Sequence, residues 1–213
     1  MHHPQTPEAQ QAALALYQRR AERYDLELAA FDALRQEAIA ALHLQPGETV
    51  LDLGCGTGLS LPALQAAVGP GGHVLGVEQC PAMLAQAEAR VRAGHWCHVR
   101  LQGCAVAQAR LPRRADAALF FFTHDIQQQE AALARVCAHL RPGARVVAVG
   151  LCWAPPWLGL ANLFVLGAAL YSIRAPDYLA SLSQPWRLLA ARLASHRVEK
   201  RWLDSIYLLR GCI

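Results

Sequence analysis

Lysine is almost missing from this chain: of its 20 basic residues, only Lys200 is not an arginine. Charge of either sign is scarce, at 17% of 213 residues against 54% hydrophobic, so the chain can bury a sizeable core. Its seven cysteines (Cys55, Cys80, Cys97, Cys104, Cys137, Cys152 and Cys212) show neither C-x-x-C spacing nor a His-x-x-x-His partner. That excludes the ordinary zinc signatures, so no metal is expected, and it argues for reduced thiols in a cytoplasmic protein. The start is rich in His and Gln, with no cationic region followed by an apolar one, so no signal peptide is expected. No repeat or low-complexity stretch breaks the chain, which reads as one domain. No basic stretch is interleaved with aromatics for gripping single-stranded nucleic acid, and the net charge of +4 is modest. Arg90, Arg92, Arg100, Arg110, Arg113 and Arg114 read as solvated helix ends and loops, or as a surface attractive to anions.

What the chain does have is an unusual nine-residue stretch, Val50-Leu51-Asp52-Leu53-Gly54-Cys55-Gly56-Thr57-Gly58. An apolar run ending in an acid and then three alternate glycines reads as a buried parallel strand, a tight turn and a helix. The glycines let the backbone approach a ligand closely. A dinucleotide loop, G-x-G-x-x-G, would need its third glycine at Leu59, and a phosphate loop would need Gly-Lys-Ser/Thr, so both patterns fail. A helical stretch, Pro62–Val68, and a turn, Gly69-Pro70-Gly71-Gly72, lead to a second apolar strand ending in Glu78. Glu78 follows Gly58 by the distance expected of a carboxylate that accepts from both hydroxyls of a ribose. Gln79-Cys80-Pro81-Ala82-Met83-Leu84 comes next.

Together these two motifs resemble those of class I S-adenosylmethionine (SAM) methyltransferases, in particular the ubiquinone/menaquinone-type and bacterial phospholipid N-methyltransferase-like members. The resemblance covers nearly the whole chain. It implies a Rossmann-like α/β fold, doubly wound, with a mostly parallel seven-stranded sheet, an antiparallel last strand and helices on both faces. It implies that SAM binds and S-adenosylhomocysteine (SAH) leaves, with Asp52 near the cationic end of the cofactor and Gly54, Cys55, Gly56 and Gly58 beside it. Glu78 and Gln79 would hold the ribose end, and Met83 would pack on the adenine. Gly103, Cys104 and Ala105 stand where the family commonly reads Gly-Asp-Ala. A thiol is a weak acceptor, so the adenine would be read by backbone groups or by Gln102. Phe121, at the end of the fourth strand, belongs to the same pocket.

Apolar runs near 48–53, 73–78, 97–102, 115–122, 144–150, 196–204 and 206–212 are expected as strands. Helices are expected over 7–43 (broken), 58–68, 81–94, 126–140, 155–173 and 176–194. The organisation that follows is a helical cap at 1–43, a cofactor-binding core at 44–150, a substrate lid at 151–195 and a final strand pair at 196–213. Thr123-His124-Asp125 ends the fourth strand, where open α/β sheets bind ligands. His124 is either a general base or the anchor of the next helix, with Asp125 as its N-cap. The Tyr24-Asp25 pair resembles the N-terminal "YD" of the same family members, so Tyr24 is a candidate for substrate contact and catalysis. Trp153 and Trp157 are candidates for the acceptor side. Leu151–Ile173 carries no formal charge, yet strands lie on both sides of it. It is therefore read as a lid over the acceptor or a surface on lipid, rather than a membrane span.

These readings converge on methyl transfer from SAM to a small-molecule or lipid-like acceptor in the cytoplasm or peripherally at a membrane. Nucleic acid is not expected, since the Asn/Asp-Pro-Pro-Tyr/Phe signature of base methylation is absent. The alternative is a SAM- or SAH-binding regulatory domain without turnover.

Overall fold

The computed structural model describes residues 25, 26, 28–112, 114–172 and 176–213. Tyr17 and Tyr24, and most of the expected first helix, lie outside the described residues. Seven strands form one sheet: β1 (Thr49–Leu53), β2 (His73–Val77), β3 (Val99–Gln102), β4 (Ala115–Phe121), β5 (Leu140–Leu151), β6 (Ser195–Arg201) and β7 (Ile206–Cys212). Their order is β3-β2-β1-β4-β5-β7-β6. β1 to β5 pair in parallel, and β7 runs antiparallel between β5 and β6. The order reverses between β1 and β4, which opens a crevice at their carboxyl ends.

The described helices are α1 (Asp32–Ala40), α2 (Leu61–Val68), α3 (Pro81–Ala93), α4 (His124–Gln127), α5 (Glu130–Cys137), α6 (Gly159–Ser172), α7 (Pro176–Ser181) and α8 (Arg187–Ala190). Pro62 and Pro81 sit in the first turns of α2 and α3, where a missing N–H costs nothing. Alternate residues of each central strand point to opposite faces, giving two cores. Leu51, Leu53, Ala118, Phe120, Tyr207 and Leu209 meet α5 and α8 on one face. Val50, Leu119, Val149 and Leu208 meet α1, α2 and α6 on the other.

Several boundaries differ from the sequence expectation, three of them with a visible tertiary cause or consequence. The helix expected at 126–140 is broken at Gln129, whose backbone is extended. The neighbouring glutamines serve tertiary hydrogen bonds instead: Tyr207 Oη donates to Gln127 Oε1 at 2.8 Å, and Gln128 Nε2 donates to the Pro185 carbonyl at 2.9 Å. The helix expected at 176–194 splits around Pro185. β5 begins at Leu140 rather than at residue 144, because Leu140 pairs with Ala115 across an irregularity in the ladder.

Candidate functional site

β1 delivers Asp52 to the crevice, and its chain then turns at Gly54, whose φ of +76° suits glycine. A Cβ there would lie 2.5 Å from Thr123 Cγ2, so the loop and the end of β4 close on each other only because Gly54 has none. Gly58 serves packing: a Cβ would meet Leu61 and the backbone of Ala87. Gly103 does likewise against Leu84.

Glu78 is not a solvated strand end. Its Oε2 accepts from Gly56 N–H at 3.0 Å and its Oε1 from Cys80 N–H at 2.7 Å, so it ties the glycine loop to the start of α3. Burial raises its pKa, and these N–H groups oppose that shift. Each oxygen keeps a lone pair for a further donor.

A cleft of about 640 Å³ opens along these residues. Gly54, Gly56, Glu78, Gln79 and Met83 form one wall. Cys104, Ala105 and Val106 form the floor, and Phe121, Phe122, Thr123, Asp125 and Gln129 close the far side. Phe122 holds a φ of +56°, a strained position for an aromatic residue at a ligand wall. A second cleft, of about 310 Å³, shares Gly54, Gly56 and Phe121 with the first and adds Leu28, Arg35, Asp52, Cys55 and Ser60.

The charged groups of the second cleft are incomplete. Asp52 is 2% exposed, and its Oδ2 has no hydrogen-bond partner among the described residues. Burial pushes its carboxyl up to about 7, the nearby Arg35 guanidinium opposing and Glu78 adding to the shift. Arg35, from the buried face of α1, donates through Nη1 to Asp32 Oδ1 at 2.7 Å and lies 5.1 Å from the centre of the Phe121 ring. Its Nη2 is buried and has no partner among the described residues. An unmatched carboxylate oxygen beside an unmatched guanidinium nitrogen suits a ligand end that carries both an ammonium and a carboxylate.

Other expected residues land elsewhere. Gln102 does not reach the cleft: its amide is closed on the Arg110 backbone, donating at 2.7 Å and accepting at 2.8 Å. Asp125 is not the N-cap of the helix. Thr123 takes that position without a side-chain cap bond, and Asp125 sits in the first turn at the cleft wall. His124 is buried and lines neither cleft; its Nε2 lies 2.7 Å from Ser181 Oγ on α7, and burial pulls its pKa down to about 4. Trp153 is half-buried, donating from Nε1 to the Leu179 carbonyl at 2.9 Å, and Trp157 is 82% exposed. Neither belongs to a cleft wall. Tyr24 lies outside the described residues, but Asp25 beside it accepts from Thr57 Oγ1 at 2.5 Å and pairs with Arg90 at 2.7 Å. That carboxylate braces the glycine loop against α3.

Arg35 was not read from the sequence. Its signal was a charged residue among Leu34, Ala38 and Ile39, the buried positions of α1. Phe122 and Gln129 escaped because only the crevice makes them neighbours. Among the described residues, no cluster of His, Cys, Asp or Glu could hold a metal ion.

Comparison with known proteins gives the same picture. The family model described as a methyltransferase domain matches residues 50–143. The demethylmenaquinone methyltransferase of Symbiobacterium thermophilum is 35% identical over 96 residues, covering 42% of this chain and 38% of that protein. A SAM-dependent methyltransferase structure from Aquifex aeolicus superposes with a TM-score of 0.65 at 19% identity, covering 92% of this chain and 98% of the other. The geranyl diphosphate C-methyltransferase of Streptomyces coelicolor, in complex with Mg2+, geranyl-S-thiolodiphosphate and SAH, gives 0.62 at 18% identity, over 84% of this chain and 74% of the other. Matches to curated relatives span only 14% to 38% of their lengths. The two structural likenesses establish the fold.

Proposed function

We propose that this chain, whose residues 50–143 match a methyltransferase domain, is a class I SAM-dependent methyltransferase that transfers a methyl group from SAM to a small-molecule or lipid-like acceptor. The observation that carries this reading is the buried Asp52 Oδ2, without a partner among the described residues and next to the glycine loop and Arg35. SAM presents an ammonium and a sulfonium where a nucleotide would present phosphates, and only the cationic ligand suits that carboxylate. Arg35 Nη2 would take the carboxylate of the amino-acid tail, and Glu78 the ribose hydroxyls. The Met83 thioether would meet the adenine face. With Cys104 a weak acceptor and Gln102 engaged elsewhere, the adenine edge falls to the backbone at 104–106 and the Gln129 side chain.

When bound, SAM supplies an activated methyl carbon. The chain's own work is positioning and charge. Asp52 and Arg35 fix the tail, Glu78 fixes the ribose, and Phe121 separates the two clefts. The acceptor side is aromatic: Phe122 meets Phe121 edge-on at 5.0 Å, and Phe31 packs on Phe122 and Trp202, each at 4.9 Å. Such a wall suits an apolar or cationic acceptor. The names of the demethylmenaquinone and geranyl diphosphate relatives support the apolar choice. We assign His124 a positioning role, tying the end of β4 to α7, because it lines neither cleft and burial weakens it as a base.

Cys104 favours a second reading, a regulatory SAM/SAH-binding domain. Calorimetry with SAH tests binding. A SAH-release screen over amines, phenols, quinols, thiols and phospholipid headgroups tests turnover. Absence of binding would sink both readings, whereas binding without release for any acceptor would leave only the regulatory one.

A further inference from the structure

We infer that α6 (Gly159–Ser172) rests on a lipid bilayer through its outward face, a contact separate from the ligand groove. This helix is inverted in side-chain size. Its inward residues are modest: Ala161, Val165 and Ala169 are buried. Its outward residues are large: Leu160 is 84% exposed, Leu163 64%, Leu170 56% and Phe164 42%, with Trp157 at 82% just before the helix. Positions 157, 160, 163, 164 and 170 fall on one stripe at helical spacing. A helix serving only its own core would turn its large side chains inward.

Polarity decides what covers the stripe. A protein partner is expected to make about one hydrogen bond per 100–200 Å² of contact. The described outward side chains offer a single donor, the Trp157 indole N–H. Asn162 is turned inward, accepting from Ala154 N–H at 2.9 Å and donating to the Ala154 carbonyl at 3.2 Å. Charge agrees. Leu151–Ile173 contains no acid to repel phosphate headgroups. Lys200 Nζ lies 3.5 Å from the Trp153 carbonyl, at the head of the loop into α6, and Arg174 follows the helix in sequence. Arg145, which precedes the segment in sequence, is paired to Glu48 and plays no part. Trp157 stands where an indole favours the boundary between water and lipid.

At 1.5 Å per residue the 14-residue helix is about 21 Å long, short of the ~30 Å of a hydrocarbon core. Among the described residues, no helix is long and apolar enough to cross a membrane. The helix therefore lies in the plane of the interface. The β6–β7 turn lies against the start of the loop that leads to α6, since Cys152 N–H donates to the Ser205 carbonyl at 3.0 Å.

The test uses the intact chain with phosphatidylcholine vesicles, with and without a minority of phosphatidylglycerol. Co-sedimentation and a blue shift of tryptophan emission are expected, stronger with the anionic lipid. Leu160→Glu combined with Leu163→Glu should weaken vesicle partitioning by at least ~tenfold, with SAH affinity unchanged as the control for folding. Failure of the wild-type chain to bind vesicles, or equal binding by the double variant, overturns the inference. So does a dimer in ultracentrifugation that the double variant dissociates, which would give the face to a second copy. The inference does not rest on methyl transfer: loss of SAH binding would sink that reading and leave this one standing.

Discussion

Asp52 couples ligand chemistry to pH. Its folded pKa, raised by burial to about 7, lies above its unfolded value of about 3.9. The folded state therefore holds an extra proton between about pH 4 and 7, and this residue's contribution to ligand-free stability falls as pH rises across that window. A cationic ligand favours the charged carboxylate. SAM affinity should thus rise with pH up to about 7, by no more than ~tenfold per pH unit, with a proton released on binding. Calorimetry in two buffers of different ionisation enthalpy measures that proton, and Asp52→Asn should abolish it. Asp52→Ala and Glu78→Ala should each weaken binding by about 1–3 kcal/mol; unchanged affinity in both would remove the basis of the cofactor reading. His124 slopes the other way. Its folded pKa of about 4 lies below the unfolded ~6.5. As pH falls through that window the unfolded chain takes up a proton that the folded one refuses, costing up to about 1.4 kcal/mol per pH unit. His124→Gln should therefore lose less thermal stability on acidification than the wild type, with its turnover retained if the residue only positions.

At the scale of elements, the glycine loop depends on a brace from outside it. Asp25 accepts from Thr57 and pairs with Arg90, so the chain ahead of α1, the loop and α3 meet on one carboxylate. Asp25→Ala and Arg90→Ala should each weaken SAH binding, and in combination by less than the sum, because both break the same contact. Additive losses would show that the two residues act independently. The β6–β7 turn is a different case. Trp202, Leu203 and Asp204 all have positive φ, between 49° and 62°, which costs an ordinary residue about 1–2 kcal/mol. Leu203→Asn should recover about 1 kcal/mol and raise the melting temperature by about 2–4 °C.

For the whole molecule, a ligand that binds the folded chain alone raises its stability. SAH at a hundred times its dissociation constant should add about 2.7 kcal/mol, which corresponds to about 5–10 °C in melting temperature. NADH should add nothing, since no loop of dinucleotide pattern is present. A shift with NADH and none with SAH would reverse the assignment of ligand class.

The order of strands and helices was legible in the sequence because hydrophobic period and glycine or proline punctuation are local properties. So was the turn after β1, since Gly54 and Gly56 report one backbone turn, and Glu78 and Met83, which line the same cleft, follow at the distance set by one crossover. The breaks at Gln129 and Pro185 were not legible, because tertiary hydrogen bonds of Gln127 and Gln128 outweigh local helix preference. Nor was the insertion of β7 between β5 and β6, since pairing partners are chosen across the chain. Arg35 gained its meaning only when α1 packed its buried face over β4 and beside Asp52, and Gln102 lost its expected one to the Arg110 backbone. For α6 the sequence by itself determined that the segment is apolar and uncharged. Only the tertiary structure decided that its small residues face the core and its large ones face out, because hydropathy counts side chains whereas packing chooses which of them are covered.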